Sequence, residues 1–197
     1  SEQQRQMEMD EMDLTKEENR YQMESEAQAP QEAAQREQRQ VLNRLQELAR
    51  RQEEVNERLK ELQTALQAAE TEDQREELKR ELKRLEEEQR QMLADVDELN
   101  QRMEKPENQE QLAQEKKDLE EARQNVQEAA KATAEGNVAQ ALSSGTRAQR
   151  QLQEMREELR KKSSSAFSED LRDRRSEARD LANRQEKVTE QLEQLEN

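Results

Sequence analysis

The sequence contains no cysteine and no histidine, and it has only two glycines, two prolines, one tyrosine, one phenylalanine and no tryptophan. Without cysteine and histidine, disulfides, zinc sites of the usual kind and the common Cys or His nucleophile–base pairs are excluded. No P-loop, dinucleotide-binding loop or EF-hand loop appears, and two glycines are too few to build one. The sequence therefore predicts no catalytic residues, no metal site and no cofactor.

Long apolar stretches are missing as well. Hydrophobic residues make up 29% of the chain, against about 45–50% in an ordinary globular domain. No apolar run approaches the length of about 20 residues that a membrane span needs, and no signal-peptide pattern is present. We expect a soluble chain without direct membrane insertion. It starts and stops abruptly, in SEQQRQ and EQLEN, which suggests a fragment of a larger protein.

Charged residues are abundant, at 42% of the chain, and the net charge is −15. Low hydrophobicity with high net charge suits a disordered chain, whereas strict periodicity with little glycine and proline favours long coiled helices. The periodicity of the apolar residues predicts helix from about residue 31 onward. The acidic balance disfavours nucleic acid, which requires a basic stripe. A narrow aliphatic seam offers no dry pocket for acid–base catalysis on a small-molecule substrate.

Two segments of the sequence carry nearly the same helix-packing surface. Residues 48–62, LARRQEEVNERLKEL, and residues 181–195, LANRQEKVTEQLEQL, are identical at nine of fifteen positions, and every apolar position matches. The apolar residues are four and three apart, which places them along one stripe of a helix. Two apolar residues in every seven is the seam of a coiled coil.

Capping signals and helix breakers divide this periodic region into about five helices. Thr71 begins a capping box, and Pro106 disfavours helix in the residue before it. Gly136 suits a left-handed C-cap and Asn137 an N-cap, so together they predict a tight hairpin turn between antiparallel helices. A run of three serines from Ser163 breaks the pattern. The predicted helices cover about 31–69, 72–104, 107–135, 138–162 and 168–196.

The fold class predicted for residues 31–197 is all-α, an elongated antiparallel helical bundle or coiled coil of about five long helices. Its packing core consists of the large residues on the stripes. These are Leu45, Leu48, Val55, Leu59, Leu82, Leu85, Leu99, Leu181, Val188 and Leu192.

Three glutamines, Gln52, Gln89 and Gln185, occupy the same place in three stripes. A polar residue in a seam costs stability and can fix helix register. Two interpretations stay open. Either the three side chains align three helices at one level of the bundle, or their match reflects chance in a glutamine-rich chain.

Residues 1–30 differ from the rest, because nine acids against three bases give this segment −6 of the net charge. Its large apolar residues, mostly methionines, fit no single helical face. We predict an acidic, methionine-containing arm that is partly disordered or a short helix. The arm is either a frayed terminus or a docking segment, since methionine packs adaptably against partners.

Three segments, VLNRLQELARRQEEVNERLKELQTAL, KPENQEQLA and AEGNVAQALSSGTRAQRQLQEMREELR, carry a resemblance over about residues 35–195. The chain resembles the soluble coiled-coil region of large bacterial membrane-anchored proteins of unknown function. Genes of that family often lie near those for a MoxR-type ATPase and a von Willebrand A-domain protein. The resemblance implies a bacterial, membrane-associated or extracytoplasmic scaffold, with no known activity to transfer.

The expected function is non-enzymatic. The chain is predicted to be a structural scaffold or spacer that acts through helix–helix packing, with a protein partner or further copies of itself. The alternative is a protein-binding adaptor whose acidic N-terminal arm docks on a basic partner such as an ATPase. The oligomeric state stays open, because a five-helix chain can close on itself or dimerise end to end.

Overall fold

The computed structural model describes residues 1–196, apart from the side chains of residues 27 and 28. Residue 197, the last of the predicted bundle, lies outside the described residues. The fold is all-α: helices cover 92% of the chain, and residues 1–196 contain no strand. The four helices are α1 (Glu2–Ala68), α2 (Glu72–Met103), α3 (Ala113–Ala134) and α4 (Val138–Glu196).

The helices form an antiparallel bundle in which each helix packs against two others. α1 and α3 each pack against both α2 and α4. Ion pairs show the direction of packing, because Arg44 pairs with Glu98 whereas Arg51, further along α1, pairs with Glu88, earlier in α2. The side chains that meet in the middle form one apolar core, which includes Leu45, Val96, Leu119 and Leu152. The short links after α1 and after α3 favour this up-and-down arrangement.

Only part of the two longest helices belongs to this bundle. Among the described side chains, buried ones begin at Gln38 in α1 and end at Leu159 in α4. We therefore call residues 37–163 the bundle, residues 2–36 the N-terminal extension and residues 164–196 the C-terminal extension. Because α1 and α4 run antiparallel, both extensions leave the bundle at the same end.

Residues 1–196 form four helices where the sequence predicted about five, because α4 continues through the serines expected to break it. Serine costs a helix at most a few tenths of a kcal/mol relative to average residues, and no glycine or proline occurs nearby. Ser163 also gains a contact in the helical state, since its Oγ donates to Oε1 of Gln38 over 3.2 Å. The predicted helices 138–162 and 168–196 are therefore one element.

The N-terminal segment also differs from its prediction, because residues 2–30 are helical and continuous with the rest of α1. Pro30 lies inside the helix. Thr15 donates from Oγ1 to the carbonyl oxygen of Glu11 over 2.8 Å, one turn earlier. The many Glu, Gln, Met and Arg residues of this segment have high helix propensity.

The link between α2 and α3 is longer than predicted, and α3 begins at Ala113 rather than at residue 107. The reason is the buried side chain of Asn108, whose Nδ2 donates to the carbonyl oxygen of Arg102 over 2.8 Å. This bond satisfies an end carbonyl of α2. It holds the chain in turns until Leu112.

The other two links are short and capped. Thr71 accepts from the Gln74 backbone N–H, and the Gln74 side chain accepts from the Thr71 N–H, so a capping box starts α2. Gly136 has φ of +74°, the left-handed conformation that favours glycine. The N–H of Asn137 donates to the carbonyl of Ala132, and that of Gly136 to Thr133, which is a Schellman ending. Oδ1 of Asn137 then accepts from the Gln140 N–H at the start of α4.

Candidate functional site: an amide layer and two exposed extensions

The residues predicted for the packing core separate into two groups in the structure. Those on α1 and α2 lie in the bundle, where Leu85 is half-buried and the others are buried. The buried ones are Leu45, Leu48, Val55, Leu59, Leu82 and Leu99. Leu181, Val188 and Leu192, by contrast, lie in the C-terminal extension and are exposed. Their placement in the core is corrected here: the stripe exists, but no helix within residues 1–196 buries it.

A layer of amide side chains crosses the apolar core of the bundle. Gln52 on α1 and Gln89 on α2 are completely buried. Ion pairs between these helices join residues whose numbers add to between 139 and 146, and the two glutamines fall within that register. Two of the three predicted glutamines therefore lie at one level. Gln185 is exposed in the C-terminal extension and does not join them.

Asn56 connects this layer to α4. Nε2 of Gln52 donates to Oδ1 of Asn56 over 2.9 Å, and Nδ2 of Asn56 donates to Oε1 of Gln149 over 2.7 Å. Asn56 is not among the core or polar residues predicted from the sequence. Its position four residues after Gln52, on the same helical face, is the signal that could have identified it.

Gly145 on α4 makes room for the amide layer. A Cβ atom at this position would lie 2.3 Å from Oδ1 of Asn56 and 2.9 Å from Nε2 of Gln52. Ser144 and Ala148 beside it are small and fully buried. The small residues of α4 therefore let its backbone approach the side chains of α1 closely. Gly145 therefore has a packing role that becomes visible only in the structure.

Part of the amide layer lacks hydrogen-bond partners. Within residues 1–196, Oε1 of Gln52 and both Nε2 and Oε1 of Gln89 are buried with no partner. A buried amide without partners costs roughly 1–3 kcal/mol on mutational evidence. The layer therefore has a cost in stability, and the alignment of helices by these amides stays a prediction. Amide groups do not titrate in the physiological range, so the layer offers no acid–base chemistry.

A second polar cluster joins the helices where the extensions begin. The guanidinium of Arg102 on α2 donates to both carboxylate oxygens of Glu37 on α1, and Nδ2 of Asn108 approaches the same carboxylate at 3.4 Å. The hydrogen bond from Arg102 lowers the pKa of Glu37 below its ordinary value, although burial opposes the shift. The N-terminal extension therefore starts at an ionised pair.

The base of the C-terminal extension is tied to α3 in the same region. Nζ of Lys162 lies 3.4 Å from Oε1 of the buried Glu115. Nε2 of Gln38 approaches Oε1 of Gln111 at 3.4 Å, and Ser163 donates to Gln38. Contacts among all four helices thus fix the point at which the two extensions leave the bundle.

Beyond the end of the bundle, both extensions expose large apolar residues. In the N-terminal extension these are Met7, Met9, Met12, Leu14, Tyr21 and Met23. In the C-terminal extension they are Phe167, Leu171, Leu181, Val188, Leu192 and Leu195. The second set lies on one stripe, with spacings that are sums of three and four. Single exposed apolar residues are ordinary, but a contiguous exposed stripe marks an interaction surface.

The described part of the chain holds no group of three or more carboxylate, histidine or cysteine side chains arranged to bind a metal ion. Of the four helices, none has a stretch sufficiently long and apolar to span a bilayer. The grooves on the surface are open and are lined by residues such as Ala65, Leu78 and Glu81.

Comparison with known proteins gave no match: no protein family, no curated protein and no solved structure proved similar to this chain.

Proposed function

We propose that this chain is a non-enzymatic scaffold or spacer that acts through helix–helix packing. The observation that supports this proposal is the continuation of α4 beyond the bundle as a helix with an exposed apolar stripe. The bundle fixes where the stripe begins, and the length of the helix determines how far it reaches. Partners or further copies of the chain packing on the stripe are then held at a set distance from the bundle.

The dimensions suit a spacer with a coiled-coil-like form. At about 1.5 Å per residue, the 33-residue C-terminal extension reaches roughly 50 Å beyond the bundle, and the 32 bundle residues of α1 add a similar length. A single molecule is then roughly 100 Å long. As in the sequence-based expectation, such a chain suits a bacterial, membrane-associated or extracytoplasmic scaffold.

Small-angle scattering with an absolute mass determination tests this proposal. A compact 197-residue domain has a radius of gyration of about 16 Å, whereas a rod of roughly 100 Å has a much larger one. We expect a radius of gyration well above 16 Å at every concentration. A value near 16 Å for the monomer would refute the spacer function, because the extensions would then fold back onto the bundle.

The second candidate is an adaptor whose N-terminal extension docks on a basic partner. It is supported by the segment's charge of −6 together with its exposed methionines and Tyr21. A labelled amphipathic helical peptide rich in Lys and Leu is a suitable probe. An adaptor binds it, loses affinity when Met9 and Met12 are changed to Ser, and weakens with salt. The control variant Val188→Ser, in the other extension, should bind the peptide as the wild type does. Equal binding by the Met9→Ser/Met12→Ser variant would instead indicate non-specific attraction to an acidic chain.

A further inference from the structure

The exposed stripe of the C-terminal extension repeats a packing face of α1. In the bundle of the same molecule, this face is packed against other helices. Residues 48–62 share nine of fifteen identities with residues 181–195. In the bundle, α1 packs this face between two antiparallel helices, α2 and α4. In the extension the equivalent apolar side chains are 43–83% exposed. A face of this composition is suited to another helix that runs antiparallel to it.

The charges along the extension favour antiparallel self-pairing. Residues 171–184 contain five bases and three acids, a net +2, whereas residues 185–196 contain one base and four acids, a net −3. Two copies paired in parallel would place like charges side by side. Two copies paired antiparallel would place the basic half of each beside the acidic half of the other, which is the favourable arrangement.

The N-terminal extension of the same chain reaches the base of the stripe, where Gln35 and Arg36 line a groove together with Phe167 and Leu171. It is a poorer cover for the rest of the stripe. Hydrogen bonds of Gln38 with Ser163 and of Asn56 with Gln149 define the antiparallel register of α1 and α4. Extending that register would bring residues 8–18, with six acids and one base, beside residues 183–193, with three acids and two bases. Acidic segments would then repel each other where the stripe is most exposed.

We propose that two copies of this chain associate tail to tail through their C-terminal extensions, which pack antiparallel along the stripe from Leu171 to Leu195. This inference rests on the proposed scaffold function and names its partner. In an antiparallel register centred on residue 183, Leu171 of one copy lies beside Leu195 of the other and Ala178 beside Val188. The same register places Leu181 beside Gln185 and Leu192 beside Arg174. The two acidic bundles then lie at opposite ends of the dimer, which avoids repulsion between them.

The mass of the full chain, measured by sedimentation over a range of concentrations, tests the pairing. We expect about twice the 23.4 kDa of one chain, falling to one chain on dilution. The double variant Leu181→Asp/Val188→Asp places charges on the stripe, opposite uncharged residues of the other copy, and should raise the dissociation constant by at least ~100-fold. The matched control Asn183→Asp/Gln194→Asp adds charges on the opposite face of the same helix, and we expect it to stay within ~3-fold of the wild type.

The direction of pairing can be measured separately with spin labels. The chain contains no cysteine, so a single introduced cysteine can be labelled specifically. Single spin labels are attached in Ser176→Cys and Asn183→Cys, both on the outer face of the extension. In the antiparallel dimer, the two labels at residue 183 lie level with each other, whereas those at residue 176 are offset by roughly 20 Å along the axis. A separation at 176 clearly longer than at 183 is expected. Equal separations would contradict the antiparallel arrangement.

Two results would overturn the inference in other ways. A full chain that stays monomeric at all concentrations would show that no second copy covers the stripe, although an extended monomer would leave the spacer function intact. The variant Met9→Asp/Met23→Asp should leave dimerisation unchanged. If this variant dissociates the dimer, the N-terminal extension forms the contact and the pairing of the C-terminal extensions is wrong.

Discussion

Residues 48–62 and residues 181–195 are near-copies of each other in sequence, yet their surroundings are opposite. Leu48 and Leu59 are 3% and 0% exposed, whereas their counterparts Leu181 and Leu192 are 43% and 58% exposed. Both segments are helical throughout. The comparison shows that the stripe specifies a helix and one packing face, while the neighbours that the chain supplies decide whether this face is buried.

The positions where the two segments differ are consistent with this view. Asn56, which links the amide layer to α4, corresponds to Thr189, whose Oγ1 donates to the carbonyl oxygen of Gln185 over 2.9 Å. The bundle segment therefore uses this position for a tertiary contact, and the extension uses it for a local bond. The residues that are identical in the two segments therefore do not determine whether a segment is buried.

The largest expected contrast comes from placing a charge in each segment. Leu48→Asp buries an unpaired carboxylate and should cost more than about 4 kcal/mol, enough to abolish cooperative unfolding of the bundle. Leu181→Asp, measured at high dilution, should change the free energy of unfolding by less than about 0.5 kcal/mol. Thermal melts followed by circular dichroism check both variants. An intact transition for Leu48→Asp would contradict the assignment of the core.

Truncating a matched pair of leucines gives the next contrast. Leu59→Ala leaves a cavity in the core and should cost about 2–5 kcal/mol, whereas Leu192→Ala removes an exposed side chain and should cost less than about 0.5 kcal/mol. Urea titrations of dilute samples provide both values. Similar losses for the two variants would mean that the extension is packed against the bundle.

Replacing the glutamines tests the cost of the amide layer. Gln89→Leu removes a buried amide that has no partner within residues 1–196, and should stabilise the bundle by about 1–2 kcal/mol. Gln185→Leu changes an exposed residue and should leave the unfolding midpoint of a dilute sample unchanged. If Gln89→Leu destabilises the protein, the amide is hydrogen-bonded in solution and the layer costs less than proposed.

The smallest expected effect is the acid sensitivity of the ion pair at the base of the N-terminal extension. The pKa of Glu37 is lowered in the folded state, so its contribution to stability is complete above its ordinary value of 4.5 and is lost as the pH falls below it. Glu37→Gln should therefore show a shallower loss of melting temperature between pH 5 and about 3 than the wild type. Glu193→Gln, in the exposed tip of the C-terminal extension, is the control and should follow the wild-type curve.

The sequence was sufficient for the all-α class, the stripes and the two capped turns, because these depend on local spacing and on side chains such as Thr71 and Gly136. It could not distinguish the buried from the exposed copy of the stripe, since that difference depends on which helices the chain places beside each segment. It also missed the continuity of α4, because weak helix formers such as Ser163 lower propensity by too little to end a helix. The layer around Gln52 was visible only in part, since Asn56 and Gly145 gain their roles through tertiary contacts.

Amide hydrogen exchange of the two near-identical segments, followed by mass spectrometry in one sample, tests the central claim most directly. Residues 48–62 should exchange slowly at every protein concentration, because opening them requires unfolding the bundle. Residues 181–195 should exchange faster, and their protection should fall further on dilution as the tail-to-tail dimer dissociates. Equal protection of both segments, independent of concentration, would contradict the claim that the neighbouring helices, rather than the stripe, decide their environments.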